Sequence, residues 1–148
     1  MKDHWEDFTL DKSLGFVLHR TLTAIKAMVR KEFRDRGFNV TIDQWVILGA
    51  LWVEDGQTQV RLAERTFKDR PTVSRMIDLL EKQGLVVRRP SPQDRRAQEI
   101  FLTQESHRLR ERLIPLVIEL NRLIMKGFSD KEVNQLFTML DRIFINTK

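Results

Sequence analysis

The chain contains no cysteine and no tyrosine, and it has only four prolines and six glycines. Without cysteine there are no disulfides, no thiolate-held zinc and no thiol-based redox switch. The longest uninterrupted apolar stretch, residues 45–53, falls far short of the roughly 20 residues that a spanning helix needs. Residues 1–7 are acidic and lack a signal-peptide hydrophobic region, so a soluble, cytoplasmic protein without membrane association is expected. The three histidines, His4, His19 and His107, include no pair four apart, so no metal site is expected. A Gly-rich phosphate loop is missing, as is any recognisable Ser/His/Asp arrangement. The charged stretch around Asp94 reads as a loop tip, which excludes water poorly. The expectation is therefore a protein that is not an enzyme and uses no cofactor.

What remains is a chain of 148 residues, 41% hydrophobic, which suits one domain with an oligomerisation extension. Apolar residues at helical spacing predict a first helix over residues 11–36, stopped by Gly37. Thr41-Ile42-Asp43-Gln44 is a capping box, with Val40 and Trp45 as its staple, opening a second helix to about Val53. Residues 54–57 read as a turn. Thr58 caps a short third helix carrying Val60, Leu62, Ala63 and Phe67. A fourth helix begins near Asp69, with Pro71 in its first turn and Val73, Met76, Ile77 and Leu80 as its apolar face.

The period then changes. Residues 85–89 and 99–102 read as strands joined by a long basic loop, a hairpin. Thr103 caps a fifth helix, which Pro115 should kink or deprive of a hydrogen bond. Ser129-Asp130-Lys131-Glu132 is a second capping box, stapled by Phe128 and Val133, opening the sixth helix. The order is α-α-α-α-β-β-α-α: mainly α with a small β-hairpin wing. Residues 38–102 form a winged helix-turn-helix, flanked by a helical dimerisation lobe of residues 10–37 and 103–148. The flanking helices carry more apolar face than one small winged helix can cover, which predicts a homodimer.

The formal net charge is +5, and its location matters more than its size. Residues 68–96 hold eight basic and four acidic residues, so most of the excess lies on one helix and one loop. That is the footprint of nucleic-acid binding, where Lys and Arg release counterions from phosphate. A helix entering the major groove needs short polar groups near its start and a forked donor after them. Thr72, Ser74 and Arg75 supply both, and arginine can bond guanine through two parallel hydrogen bonds. Lys68, Arg70 and Arg88 are placed for phosphates. The hairpin tip, with Asp94, Arg95 and Arg96, fits a narrow A·T-rich minor groove. Either basic element taken alone is equally a solvated face; both together behind a short capped helix favour DNA. RNA is disfavoured because no aromatic platform accompanies the basic residues.

The stretch Leu62-Ala63-Glu64 and the run from Arg70-Pro71-Thr72-Val73-Ser74-Arg75 to Gly84-Leu85-Val86 resemble the recognition segment of the MarR family of bacterial transcriptional regulators. Arg89-Pro90-Ser91-Pro92-Gln93-Asp94-Arg95-Arg96, followed by Leu102-Thr103, resembles that family's Asp-x-Arg wing signature. The resemblance implies a homodimer on a palindromic double-stranded DNA operator. It further implies repression of a nearby operon and release by a small, often aromatic, effector. Under it Thr72, Ser74 and Arg75 read the major groove, Arg96 enters the minor groove with Arg95 as an equal candidate, and Asp94 orients the wing. The family's effector pocket, lined by its first, second and fifth helices, implicates Phe16, His19, Arg20, Trp45 and Trp52. Each also has a plain reading: Trp45 as a staple, Trp52 as core, His19 and Arg20 as surface. The competing function is an effector-independent architectural or protein-contact winged helix.

Overall fold

A computed structural model describes residues 7–148 of the chain; the amino-terminal expectation for residues 1–6, including His4, lies outside them. After a short 3-10 turn at Leu10–Lys12 come α1 (Leu14–Asp35), α2 (Ile42–Val53), β1 (Gln57–Thr58), α3 (Gln59–Thr66) and α4 (Arg70–Lys82). Then follow β2 (Val86–Pro90), β3 (Gln98–Leu102), α5 (Gln104–Ile124) and α6 (Asp130–Asn146). The chain divides into two compact units, one ending at Leu113 and one beginning at Ile114. No helix among the described residues is long and apolar enough to cross a membrane, and no cluster of metal-ligating side chains occurs among them.

The helix starts follow from their caps. Thr41 Oγ1 accepts from Gln44 N at 3.1 Å while Gln44 Oε1 accepts from Thr41 N at 2.9 Å, closing the capping box of α2. Ser129 and Glu132 close the same box for α6, and Thr58 caps α3. Asp69 caps α4, with Pro71 in the first turn where its missing N–H costs nothing. α5 runs unbroken through Pro115 as 21 residues.

In the first unit the core is mainly apolar. Ile47, Leu48, Leu62, Val73, Ile77, Leu80, Val86, Ile100 and Leu113 are all fully buried. They come from α2, α3, α4, the sheet and α5, so the winged helix closes over one shared interior.

Three local expectations are corrected. Residues 54–57 are not simply a turn: Gln57 and Thr58 form β1, which pairs antiparallel with β3 at Ile100 and Glu99. The sheet therefore has three strands, in the order β1-β3-β2. Gln57 is buried and its amide donates to Ala50 O at 3.0 Å and to Glu54 O at 2.5 Å, tying the end of α2 to the sheet. Gly56 has φ +70°, and a Cβ there would meet the Phe101 ring at 2.8 Å, so any other residue would strain the backbone and displace that ring. Phe67 is not on the apolar face of α3. It caps that helix in the left-handed region at φ 55° with its ring exposed.

The helices α1 and α6 differ from this core. Leu14, Leu18 and Leu22 of α1 and Phe137, Met139 and Ile145 of α6 are all at least 40% exposed, and α6 buries no residue at all.

Candidate nucleic-acid interface

The α3–α4 pair is the turn of a helix-turn-helix, and α4 is set by its cap. Asp69 accepts from Thr72 N at 2.8 Å, and the Thr72 hydroxyl donates to the same carboxylate at 2.8 Å. These bonds, helped by the charge of Arg75, hold the Asp69 carboxyl below the usual carboxylate range. With its hydroxyl proton given to Asp69, Thr72 keeps its methyl and two acceptor lone pairs at the helix start, while Ser74 is half-buried and Arg75 exposed.

The cations divide into two kinds. Lys68 Nζ donates to Asp43 of α2 at 2.5 Å and is mostly covered. That bond, with Lys26 and Arg30 nearby, outweighs burial and keeps the Asp43 carboxyl below its usual range. Arg88 of β2 spans Asp78 and Glu81 of α4, the Glu81 contact at 3.2 Å, and only 18% of its side chain is exposed. Arg89 lies over the Phe101 ring, 5.0 Å from its centroid. By contrast, Arg70, Arg75, Arg95 and Arg96 are exposed, and no ion pair is made by them among the described residues. Sequence reading grouped Lys68 and Arg88 with the phosphate contacts. Their carboxylate partners lie seven to 25 positions away, a spacing that no periodicity announces.

The wing tip is ordered by its own backbone. Asp94 Oδ1 accepts from Arg96 N at 2.9 Å, and Ala97 N donates to Asp94 O at 3.0 Å, a tight Asx turn. Ser91 is buried, its amide donating to Ala97 O and its hydroxyl shared with Gln93 and Glu99. Asp94 therefore shapes the tip through the backbone, and both arginines project from an ordered turn. Arg96 borders a small hollow shared with Thr58, Gln59 and Val60 at the start of α3.

The residues read from the resemblance as an effector pocket meet different surroundings. His19 and Arg20 are exposed, and Arg20 pairs with Asp11 at 3.3 Å. Trp52 Nε1 donates to the buried Ser106 Oγ at 3.1 Å. Trp45 meets Phe33 edge-on at 6.5 Å between ring centroids, and its buried Nε1 has no hydrogen-bond partner among the described residues. Phe16 is half-buried. None of these five lines the cleft of about 750 Å³ that opens between α1, the α1–α2 loop, α2 and α4. That cleft had no signal in the sequence, because its walls come from four segments.

The sequence profile of the MarR family matches residues 37–97, from the end of the α1 turn to the wing tip. Among solved structures, a probable transcriptional regulator from Pseudomonas aeruginosa is 26% identical with a TM-score of 0.84, covering 91% of this chain and 99% of its own. A MarR-family regulator from Rhodococcus sp. RHA1 is 28% identical with a TM-score of 0.78, covering 89% and 95%. BpsR of Bordetella bronchiseptica, whose DNA binding is regulated by 6-hydroxynicotinic acid, is 23% identical with a TM-score of 0.85, covering 92% and 96%.

Proposed function

We propose that the chain is a transcriptional regulator of the MarR family, a homodimeric repressor that reads a palindromic operator near its own gene. The observation that carries this reading is the division of the cations. Lys68 and Arg88 brace the scaffold, while Arg70, Arg75, Arg95 and Arg96, on α4 and the wing, stay exposed and make no ion pair among the described residues. An arginine without a bonded carboxylate has all five donors available for DNA.

In this reading Thr72, Ser74 and Arg75 contact base edges in the major groove. Arg70 takes a flanking phosphate, and Asp94 holds the turn from which Arg95 and Arg96 enter the minor groove. Lys68 and Arg88 act as positioning residues: the first fixes the α3–α4 turn to α2, the second fixes the wing to α4. The exposed leucines of α1 and the exposed apolar residues of α6 are the surfaces a second copy would cover. Two copies would place their recognition helices about one DNA turn apart, ~34–36 Å. Regulation by a small organic acid is supported by the fold shared with BpsR. The site is a binding surface, and the protein acts in the cytoplasm where its operator is.

The test is fluorescence anisotropy with the DNA upstream of its own gene against a scrambled duplex, titrated with salt. Selective, steeply salt-dependent binding at two protomers per site is expected. Arg75→Ala should cost about 1–3 kcal/mol on the operator and relax one base-pair preference. Equal loss on operator and random DNA would overturn the base-reading role of Arg75. Equal weak binding of the wild type to both duplexes would favour the architectural alternative.

A further inference from the structure

The threonines of this chain hand their hydroxyl protons to different acceptors. Within helices, Thr66 gives its proton to Leu62 O at 2.6 Å and Thr138 to Asn134 O at 2.9 Å, each a carbonyl four residues back. Thr72 stands three residues past the cap of α4, so the residue four back precedes the helix. Its hydroxyl turns instead to the cap and meets Asp69 Oδ2 at 2.8 Å, while Asp69 Oδ1 accepts from Thr72 N at 2.8 Å. The direction of the hydroxyl bond follows from protonation. The Thr72 amide and hydroxyl hold the Asp69 carboxyl below its usual range, so it is ionised at neutral pH and can only accept. The proton in the contact therefore belongs to Thr72. A threonine hydroxyl that rotates freely donates or accepts, and so reads either kind of base edge. With its proton committed, Thr72 offers lone pairs alone. The Asp69 carboxylate beside it is exposed and equally acceptor-only. The start of α4 is thus an acceptor corner, three residues before the donor-only Arg75.

We propose that Asp69, by holding the Thr72 proton, makes Thr72 select a base with an exocyclic amino group, adenine or cytosine, in the major groove. Adenine presents its N6 amino group there and cytosine its N4 amino group, whereas guanine presents O6 and N7 and thymine presents O4. Guanine or thymine at the same place sets acceptor against acceptor, and the Asp69 charge adds to the repulsion. Asp69 is a positioning residue: it touches no base and sets the polarity of Thr72. This selectivity rests on the reading of α4 as the recognition helix; the direction of the Thr72–Asp69 bond does not. Asparagine at position 69 separates the cap from the polarity. It caps a helix as well as aspartate does, its Oδ1 taking the Thr72 amide. Its Nδ2 then donates to Thr72 Oγ1, the hydroxyl proton turns outward, and Thr72 becomes a donor.

The test is fluorescence anisotropy of the full chain on duplexes that the wild type selects from a randomised pool. Each adenine or cytosine is then replaced in turn by its analogue without the amino group, purine or pyrimidinone. At one such base in each half-site, the replacement should weaken the wild type about three- to tenfold more than Thr72→Val, the worth of one hydrogen bond. Thr72→Ser keeps the hydroxyl and should respond as the wild type does. Asp69→Asn, with helix content unchanged in circular dichroism, should prefer guanine or thymine at that base. Equal losses in the wild type and Thr72→Val at every base overturn the proposal. So does a folded Asp69→Asn chain that keeps the wild-type preference, which would leave Asp69 as a cap alone. If Asp69→Asn does not fold, the valine and serine variants decide. In the absence of DNA, Thr72→Val should raise the Asp69 carboxyl towards its usual range in an NMR titration; no rise overturns the direction of the bond. A wild type that selects no duplex overturns the regulator reading and this selectivity with it. A selective wild type whose preferences ignore Thr72 overturns this proposal alone.

Discussion

The fourth and sixth helices are built from the same pattern, an apolar residue every three or four positions behind a side-chain cap, and they end in opposite situations. On α4, Val73, Ile77 and Leu80 are fully buried within the first unit. On α6, Phe137 is 54% exposed, Ile145 is 66% exposed, and nothing is buried. Periodicity states that a helix has an apolar face, but it does not state whose atoms will cover that face. The winged helix finds its cover inside one chain. Phe137, Met139 and Ile145 leave apolar surface exposed on α6, and a second copy is the cover we propose.

The largest expected effect tests the complete side of this contrast. Ile77→Ala should destabilise the chain by about 2–5 kcal/mol in denaturant unfolding, because a sealed core cannot collapse fully around the lost atoms. Phe137→Ala should behave differently, with a thermal midpoint that depends on protein concentration in the wild type and less so in the variant. A loss at Phe137 that matches Ile77 and ignores concentration would break the comparison.

The next effect tests the open side directly. Phe137→Glu places a charge on the exposed stripe and should halve the mass seen by sedimentation, with operator binding falling at least about tenfold. An unchanged dimer would move the interface away from α6.

A smaller effect sharpens the division of the cations. Arg88→Ala should cost about 1 kcal/mol in stability, since it removes a mostly covered cation from two exposed carboxylates. Its effect on DNA should fall on the flanks that the wing reaches. A uniform loss on all sequences, with stability untouched, would return Arg88 to the phosphate contacts.

The smallest is a pH effect at the Lys68–Asp43 pair. The folded Asp43 carboxyl is held below its usual range, so its contribution is present above the unfolded carboxylate value and is lost as pH falls through the folded one. The gap in thermal midpoint between wild type and Asp43→Asn should therefore be open near ~pH 6 and close towards ~pH 3. A gap that widens on acidification would show that Asp43 is not held by Lys68.

Short-range chemistry was the legible part. The capping boxes at Thr41 and Ser129, the caps at Thr58 and Asp69 and the stop at Gly37 each involve residues within a few positions of one another. Spacing therefore suffices to read them. β1 escaped because a two-residue strand has no period; it exists only through its register with Ile100 and Glu99. The buried amide of Gln57 and the exposed ring of Phe67 reverse the usual assignment of polar and apolar side chains, and no local pattern marks them.

The sequence by itself determined the order of the helices, their caps, the hairpin and the concentration of positive charge between residues 68 and 96. Those properties depend on near neighbours and on composition. Tertiary structure alone decided which cations brace the scaffold, how Asp94 closes the wing tip and where a cleft opens between α1 and α4. A charge is bound or available according to which carboxylate the fold brings within about 3 Å of it. Contacts between residues far apart in the chain exist only once the shared core has closed.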